Sequence, residues 1–468
     1  MIALLGFAQS TNTSVGKILT CGHNVLLCTG RETFFRQRYV VASSEPAFTG
    51  GLMSQHNRTA ATDSALRARA LALTVKAFTA TTAAGLGSAK LWDAVFNARS
   101  HLRANVFTPT PIAAWIGRVD GLETVALPTQ FAEWECRNNR LAWLALNQDG
   151  FFDEALAAVT QFGARRVAVI IGTSTGSVGA TEDGYARLTG SGGFPGDLLR
   201  PIVHTAHSLG DFVQHALGTS GPCVTVNTAC SSSAKVFAQA ERLIRLGVVD
   251  AAIVGGVDTL CGSVMYGFNS LQLLSPERCR PFDADRNGIS LGEAGGFALL
   301  TRATADDAQP ALRLVGWGES SDAYHMSSPQ PDGLGAEQAM LQALSNAGLS
   351  EHAIDYINGH GTASFKNDEV EATVVARNFP LTTRMSSTKG ITGHALGAAG
   401  IVEAVISLLA LRHDWIPANA VTKNVDPLAA AHLALHGEAK EISYVLSNNF
   451  GFGGNNCALI FGKNGSVR

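Results

Sequence analysis

Two stretches of this chain run on the same plan, and that repetition narrows the possible folds more than any other feature. CVTVNTACSSS (223–233) carries an apolar run straight into a helical segment, AKVFAQAERLIRLG. RMSSTKGITGHALGAAG (384–400) leads in the same way into IVEAVISLLALR. A second matched pair is GGFALLTRA (295–303) and GGNNCALIFGK (453–463), each a glycine pair followed by an apolar strand. A repeat this long is well beyond solenoid periods and implies two similar α/β halves packed together. Strand candidates such as VAVIIG (167–172) and AAIVGGV (251–257) alternate with helical ones such as SAKLWDAVFNARSHL (88–102), the texture of layered sheets and helices. The halves are expected at 72–308 and 309–468. Residues 1–71, with the polar run SQHNRTAATDSALRARA and no sustained period, read as a weakly ordered N-terminal extension, with Met53 as an alternative start.

Several function classes drop out on composition. The 468 residues are 46% hydrophobic and 16% charged with a formal charge of −3, which gives no support for nucleic-acid binding. The eight cysteines are scattered without a C-x-x-C pair, so zinc ribbons and dithiol redox motifs are not expected, and a reducing cytoplasm fits. No run of about 20 uninterrupted apolar residues occurs, so no membrane span is expected.

Cys230 stands where the first matched stretch turns from strand to helix. A thiol at a helix N-terminus sits at the positive end of the dipole, which favours thiolate, and the turn lifts the side chain clear of the sheet. A small buried core cysteine explains the local sequence equally well.

Three further segments bear on that choice. YINGHGTASFKNDEVE (356–371) places His360 in a glycine-flanked turn after a strand. SSTKGITGHALGAAG (386–400) holds Lys389 and His394, and SNNFGFGGNNCALIF (447–461) is a glycine-rich turn whose N–H groups could face an anion. Singly, a turn histidine is more often structural, and a lysine before a helix usually points into water. Together they supply a nucleophile, two imidazoles, a cation and an oxyanion site, the parts needed for acyl transfer without a metal.

TACSSS, HGT, TKGITGHALGAAG and NNFGFGGNN, with RPFDADRNGISLGEAGG (280–296), resemble in order and spacing the β-ketoacyl-acyl carrier protein synthases of the thiolase superfamily, in the branch with a Cys-His-His triad. The resemblance covers residue 72 onward. It implies a five-layered α-β-α-β-α thiolase fold from two duplicated halves, which the strand-helix texture extends to two predominantly parallel sheets. It further implies a decarboxylative Claisen condensation of a Cys230-bound acyl chain with malonyl-acyl carrier protein, giving 3-oxoacyl-acyl carrier protein. His360 and His394 would support decarboxylation and meet the enolate, Lys389 would tune the site, and Glu371 would anchor the His360 loop. The N–H groups of Cys230 and Phe452 would form the oxyanion hole, with Phe452 also the gate. Thr362 and Ser364 match positions that contact the phosphopantetheine arm of the carrier protein, and no permanently bound cofactor is implied. The turn after His360 departs from the family: Phe365 stands where a proline is usual.

RNNRLAWLAL (137–146) and GTSTGSVGATEDGY (172–185) resemble the ketosynthases of aryl polyene pigment clusters more narrowly, which implies a heterodimer with a chain-length-factor-like homologue. A housekeeping fatty-acid elongating homodimer is the broader alternative. A non-catalytic chain-length partner would lack the thiol, a degradative thiolase would use a second cysteine as base, and a starter synthase would carry asparagine at His394. Cys457, the cysteine nearest the C-terminus, sits inside an apolar strand pattern instead.

Overall fold

The computed structural model describes residues 70–304, 307 and 310–463, with two short strands nearer the N-terminus. Residues 68–468 form one compact unit and 1–67 another. In the latter, Thr20–Cys21 pairs antiparallel with Asn24–Val25. The expected extension over 1–71 otherwise lies almost wholly outside the described residues.

Ten strands carry the larger unit: β1 (Leu73–Thr81), β2 (Val167–Gly172), β3 (Cys223–Val226), β4 (Ala251–Asp258), β5 (Ala294–Arg302), β6 (Leu312–Ser321), β7 (Tyr356–Asn358), β8 (Arg384–Ser386), β9 (Tyr444–Gly451) and β10 (Asn455–Lys463). They pair in the order β8-β7-β9-β10-β6-β1-β5-β4-β2-β3. The first five and the last five strands follow one rule. In each set the first strand is antiparallel to the last, the last antiparallel to the fourth, and the fourth parallel to the second, which is parallel to the third. The duplication read from the sequence is therefore present strand for strand. The expected predominance of parallel pairing is corrected, because half the pairings within each set are antiparallel. The sets meet where β6 pairs β1 over only Arg313↔Thr74 and Leu314↔Leu73. The expected break at 308/309 falls in the connection between β5 and β6.

Helices complete five layers. α1 (Arg137–Leu146), α2 (Phe151–Phe162) and α3 (Ser208–Leu217) cover the outer face of the first strand set, around a core that includes Leu141, Phe151 and Phe212. Between the two sets lie α4 (Ser232–Arg245) and, after α5 (Gly262–Ser270), α6 (Leu334–Ala347) and α7 (Phe365–Asn378), the helix α8 (Ala399–His413). α6 and α7 close the outer face of the second set.

The local sequence explains these placements. β2 is apolar throughout, β4 is apolar up to its terminal Asp258, and both are buried throughout, as strands covered on both faces should be. α4 keeps one apolar stripe, including Val236, Phe237, Ala240 and Ile244. α8 is buried from Ala399 to Leu411 because sheet or helix surrounds it. By length and composition Leu396–His413 could cross a membrane, yet 89% of that window is buried inside the protein. Two glycines set how closely the middle layer packs. A Cβ on Gly172 would meet the Ser233 nitrogen at 2.4 Å, and one on Gly400 would meet the Ala234 nitrogen at 2.4 Å. The first turn of α4 thus rests directly on β2 and on the first turn of α8.

Candidate active site

Each half delivers its chemistry at the turn from its third strand into its middle-layer helix. Cys230 follows β3 and precedes α4; His394 follows β8 and precedes α8. Ala229 turns the first elbow with φ at +53°, an unusual conformation for a residue with a Cβ. Serines of the TACSSS run stabilise it. Ser231 Oγ donates to the Thr228 carbonyl and Ser232 Oγ to the Ala229 carbonyl, while Ser233 Oγ accepts the Ile401 N–H of α8.

The second elbow is held by the 280–296 segment. His394 N–H donates to the Ser290 carbonyl, and its own carbonyl accepts from the Gly292 N–H. His360 follows β7, and Glu371 of α7 fastens its loop by accepting the N–H groups of His360 and Gly361, each at 2.8 Å. Asn448 of β9 adds a third donor to Glu371 at 3.1 Å.

These elements bring the predicted residues together. His394 Nε2 lies 3.0 Å from Cys230 Sγ. The ligand atoms of Cys230, His360 and His394 all fall within 4.8 Å of one another, and all three residues are buried. The imidazole rings stand edge to face, 5.3 Å apart and inclined at 86°. A thiol and two imidazoles this close could also ligate a metal, but Lys389 sets a cation against them. Its Nζ lies 3.2 Å from His360 Nδ1 and donates to the Glu403 carboxylate. An ammonium only donates, so His360 Nδ1 accepts and the ring hydrogen sits on Nε2. The Phe452 N–H points at the Cys230 sulfur, and the Phe452 ring stacks on Phe268 of α5 at 5.5 Å.

The electrostatics differ from the expectation of a ready-made thiolate. Burial pushes the Cys230 thiol up to about 11, against the weaker pull of the Lys389 charge and the Phe452 N–H. Burial of the sulfur outweighs any pull from the start of α4, where several N–H groups also bond carbonyls of the elbow. Ser232 N–H donates to the Ala229 carbonyl, and the Ala234 and Lys235 N–H groups to that of Ser231. Burial, followed by the Lys389 charge, holds both His360 and His394 well below the usual histidine range, so both are neutral imidazoles. Burial also lifts Glu403 to about 7 despite its lysine partner.

A cavity of about 190 Å³ opens onto Cys230, with His360, His394, Thr362, Ser364 and Phe452 in its wall. Thr362 and Ser364 face each other across 2.9 Å through their hydroxyls. Cys457 is elsewhere, buried in β10 opposite Asn449 and Glu319.

Two buried acids escaped the sequence reading. Glu403 could have been suspected as the sole charge in the apolar run IVEAVISLLAL. Asp258, at the end of β4, accepts from the N–H groups of Ser174 and Thr175 at 2.9 Å and from that of Gly397 at 2.6 Å. It joins the first half to the turn that follows His394. No local pattern marks it.

Comparison with known proteins agrees with this geometry. Residues 138–306 match the β-ketoacyl synthase N-terminal domain, and 312–423 its C-terminal domain. The chain is 33% identical over 325 residues to 3-oxoacyl-[acyl-carrier-protein] synthase 2 of Synechocystis sp., spanning 66% of this chain and 78% of that protein. It is 31% identical over 379 residues to the protein of the same name from Vibrio cholerae, spanning 74% and 91%. Among solved structures it resembles a ketosynthase (ApeO) in complex with its chain length factor (ApeC) from Xenorhabdus doucetiae, with a TM-score of 0.76 and 37% identity over 88% of this chain and 100% of that one.

Proposed function

The chain belongs to the β-ketoacyl synthase family, and on that footing we propose that Cys230, His360 and His394 carry a decarboxylative condensation. The enzyme is an acyltransferase. An acyl group passes from the phosphopantetheine thioester of an acyl carrier protein to Cys230, and the Cys230 thiol proton passes through His394 Nε2 to the departing pantetheine sulfur. Malonyl-carrier protein then loses CO₂, and the resulting enolate is met by the N–H groups of neutral imidazoles. The enolate carbon attacks the Cys230 thioester, the C–S bond breaks, 3-oxoacyl-carrier protein leaves, and the released thiolate takes a proton from solvent to restore the thiol. Phe452 N–H is placed to meet the oxyanion of each tetrahedral intermediate, with the Cys230 N–H as its proposed companion.

The observation that carries this reading is the 3.0 Å contact between Cys230 Sγ and His394 Nε2 with His360 alongside. Intact-protein mass spectrometry after incubation with an acyl-carrier protein tests it. An acyl adduct that disappears in Cys230→Ala is expected; an adduct elsewhere would refute it.

The finer reading places the enzyme in aryl polyene elongation in the cytoplasm, beside a related subunit that lacks the cysteine. Likeness to the Xenorhabdus ketosynthase, which was solved with its chain length factor, supports the heterodimer, as do the 137–146 and 172–185 stretches. Full elongation by the isolated chain as a homodimer would favour the housekeeping alternative. Retention of Cys230 disfavours a purely chain-length-setting role for this chain.

A further inference from the structure

The first residue of α7 is an aromatic that the fold presents to solvent at the mouth of the Cys230 cavity. Phe365 is 59% exposed, yet it is firmly placed. Buried Arg286 donates from Nη2 to the Phe365 carbonyl at 3.0 Å and from Nη1 to Asp426 at 2.6 Å, and its guanidinium lies 5.7 Å from the Phe365 ring centroid. Lys366 follows in the same wall, its side chain 73% exposed and only 3.7 Å from Glu369 as a loose ion pair. Moving inward come the half-buried Ser364, the buried Thr362 and then Cys230. The wall therefore carries a cation and an apolar ring at its exposed end and paired hydroxyls and a thiol at its buried end. A phosphopantetheine thioester runs from phosphate to a dimethyl-branched carbon, to amides, to sulfur.

We propose that Phe365 and Lys366 form the outer half of the carrier-arm site, with the Phe365 ring against the branched apolar segment and the Lys366 ammonium on the phosphate. This rests on the condensation reading above and concerns what the chain recognises in its donor. An exposed aromatic ring held by a buried arginine gains apolar burial when the arm lies over it. A lysine beside it offers a point charge to a phosphodiester without demanding a fixed fork geometry. Both side chains lie outside the Cys-His-His cluster, so their removal leaves the chemistry in place.

Hexanoyl thioesters of N-acetylcysteamine, pantetheine and phosphopantetheine separate the contributions, with the rate of Cys230 acylation as readout. Phe365→Ala should lower kcat/KM about tenfold with the pantetheine and phosphopantetheine donors, the scale of one partly buried ring, and leave the N-acetylcysteamine donor unchanged. Lys366→Ala should weaken the phosphopantetheine donor alone, and the difference should fade as salt rises. Equal loss across all donors in Phe365→Ala, or no loss with any, would overturn the assignment while leaving the condensation intact. Failure of the unaltered protein to acylate at Cys230 with every donor would overturn the condensation reading and this assignment with it.

Discussion

The ammonium of Lys389 donates to Glu403 while lying 3.2 Å from His360 Nδ1, so a buried ion pair and a proposed catalytic imidazole share one cation. Removing either partner should be costly in different ways. Glu403→Gln strands a buried ammonium and should cost about 3–5 kcal/mol in urea unfolding. In Lys389→Met the stranded carboxyl can take a proton instead. Glu403 already titrates near 7 with its partner present, and losing the partner raises it further. The folded variant therefore keeps a proton that the unfolded chain releases, so its deficit relative to the unaltered protein should be larger at pH 8 than at pH 6. Equal deficits at the two pH values would contradict the assignment.

Thiol reactivity should follow a raised pKa. With Cys230 near 11, its alkylation by iodoacetamide should climb about tenfold per pH unit from 7.5 to 9.5, since the thiolate is the nucleophile. A plateau near 8.5, the ordinary cysteine value, would show that burial does not control this thiol.

The pH profile of kcat/KM should show no inflection near 6.5, because both histidines are held neutral well below that value. For stability the sign is set by the same shifts. The unfolded chain binds protons on these residues below about 6.5 that the folded chain refuses, so their contribution is lost as pH falls through that range.

Cys230→Ala should abolish condensation but leave slow decarboxylation of malonyl-carrier protein, since both imidazoles remain. His394→Ala should reduce decarboxylation by about 10²–10³, the loss typical of one oxyanion donor. Undiminished CO₂ release from the His394 variant would remove that residue from the decarboxylation step.

An edge strand argues for assembly. Among the described residues β3 is the last strand of the sheet and is paired on one side only, and all four of its residues are half-buried. Val169 and Thr173 donate to the carbonyls of Pro222 and Val226, so by alternation Cys223 and Thr225 turn their backbone groups toward the open edge. Thr225→Pro removes one of those donors and should convert a dimer burying more than about 2,000 Å² into monomers on sedimentation. A dimer unaffected by that change would place the interface elsewhere.

Much of this was legible in the residues because elbows have strict local requirements. The run TACSSS carries the serines that stabilise Ala229, whereas the close backbone approach at Gly172 and Gly400 emerged only from the structure. Strand direction was not legible, since an apolar run such as FALLTR records burial and not the polarity of its neighbour. The state of Cys230 was misread for a related reason. Its position before a helix is visible in sequence, but the depth at which the two halves bury the sulfur, which raises its pKa, is set by tertiary packing.

The equivalence of the two elbows has a consequence for how the thiol and its imidazole are kept aligned. The proposed nucleophile and base ride on separate halves, and their 3.0 Å separation is a caliper reading taken across the seam where α4 and α8 touch at Ala234 and Gly400. A small shift of either half along that seam would part the thiol from the imidazole proposed as its proton acceptor while leaving each sheet and its covering helices as they are.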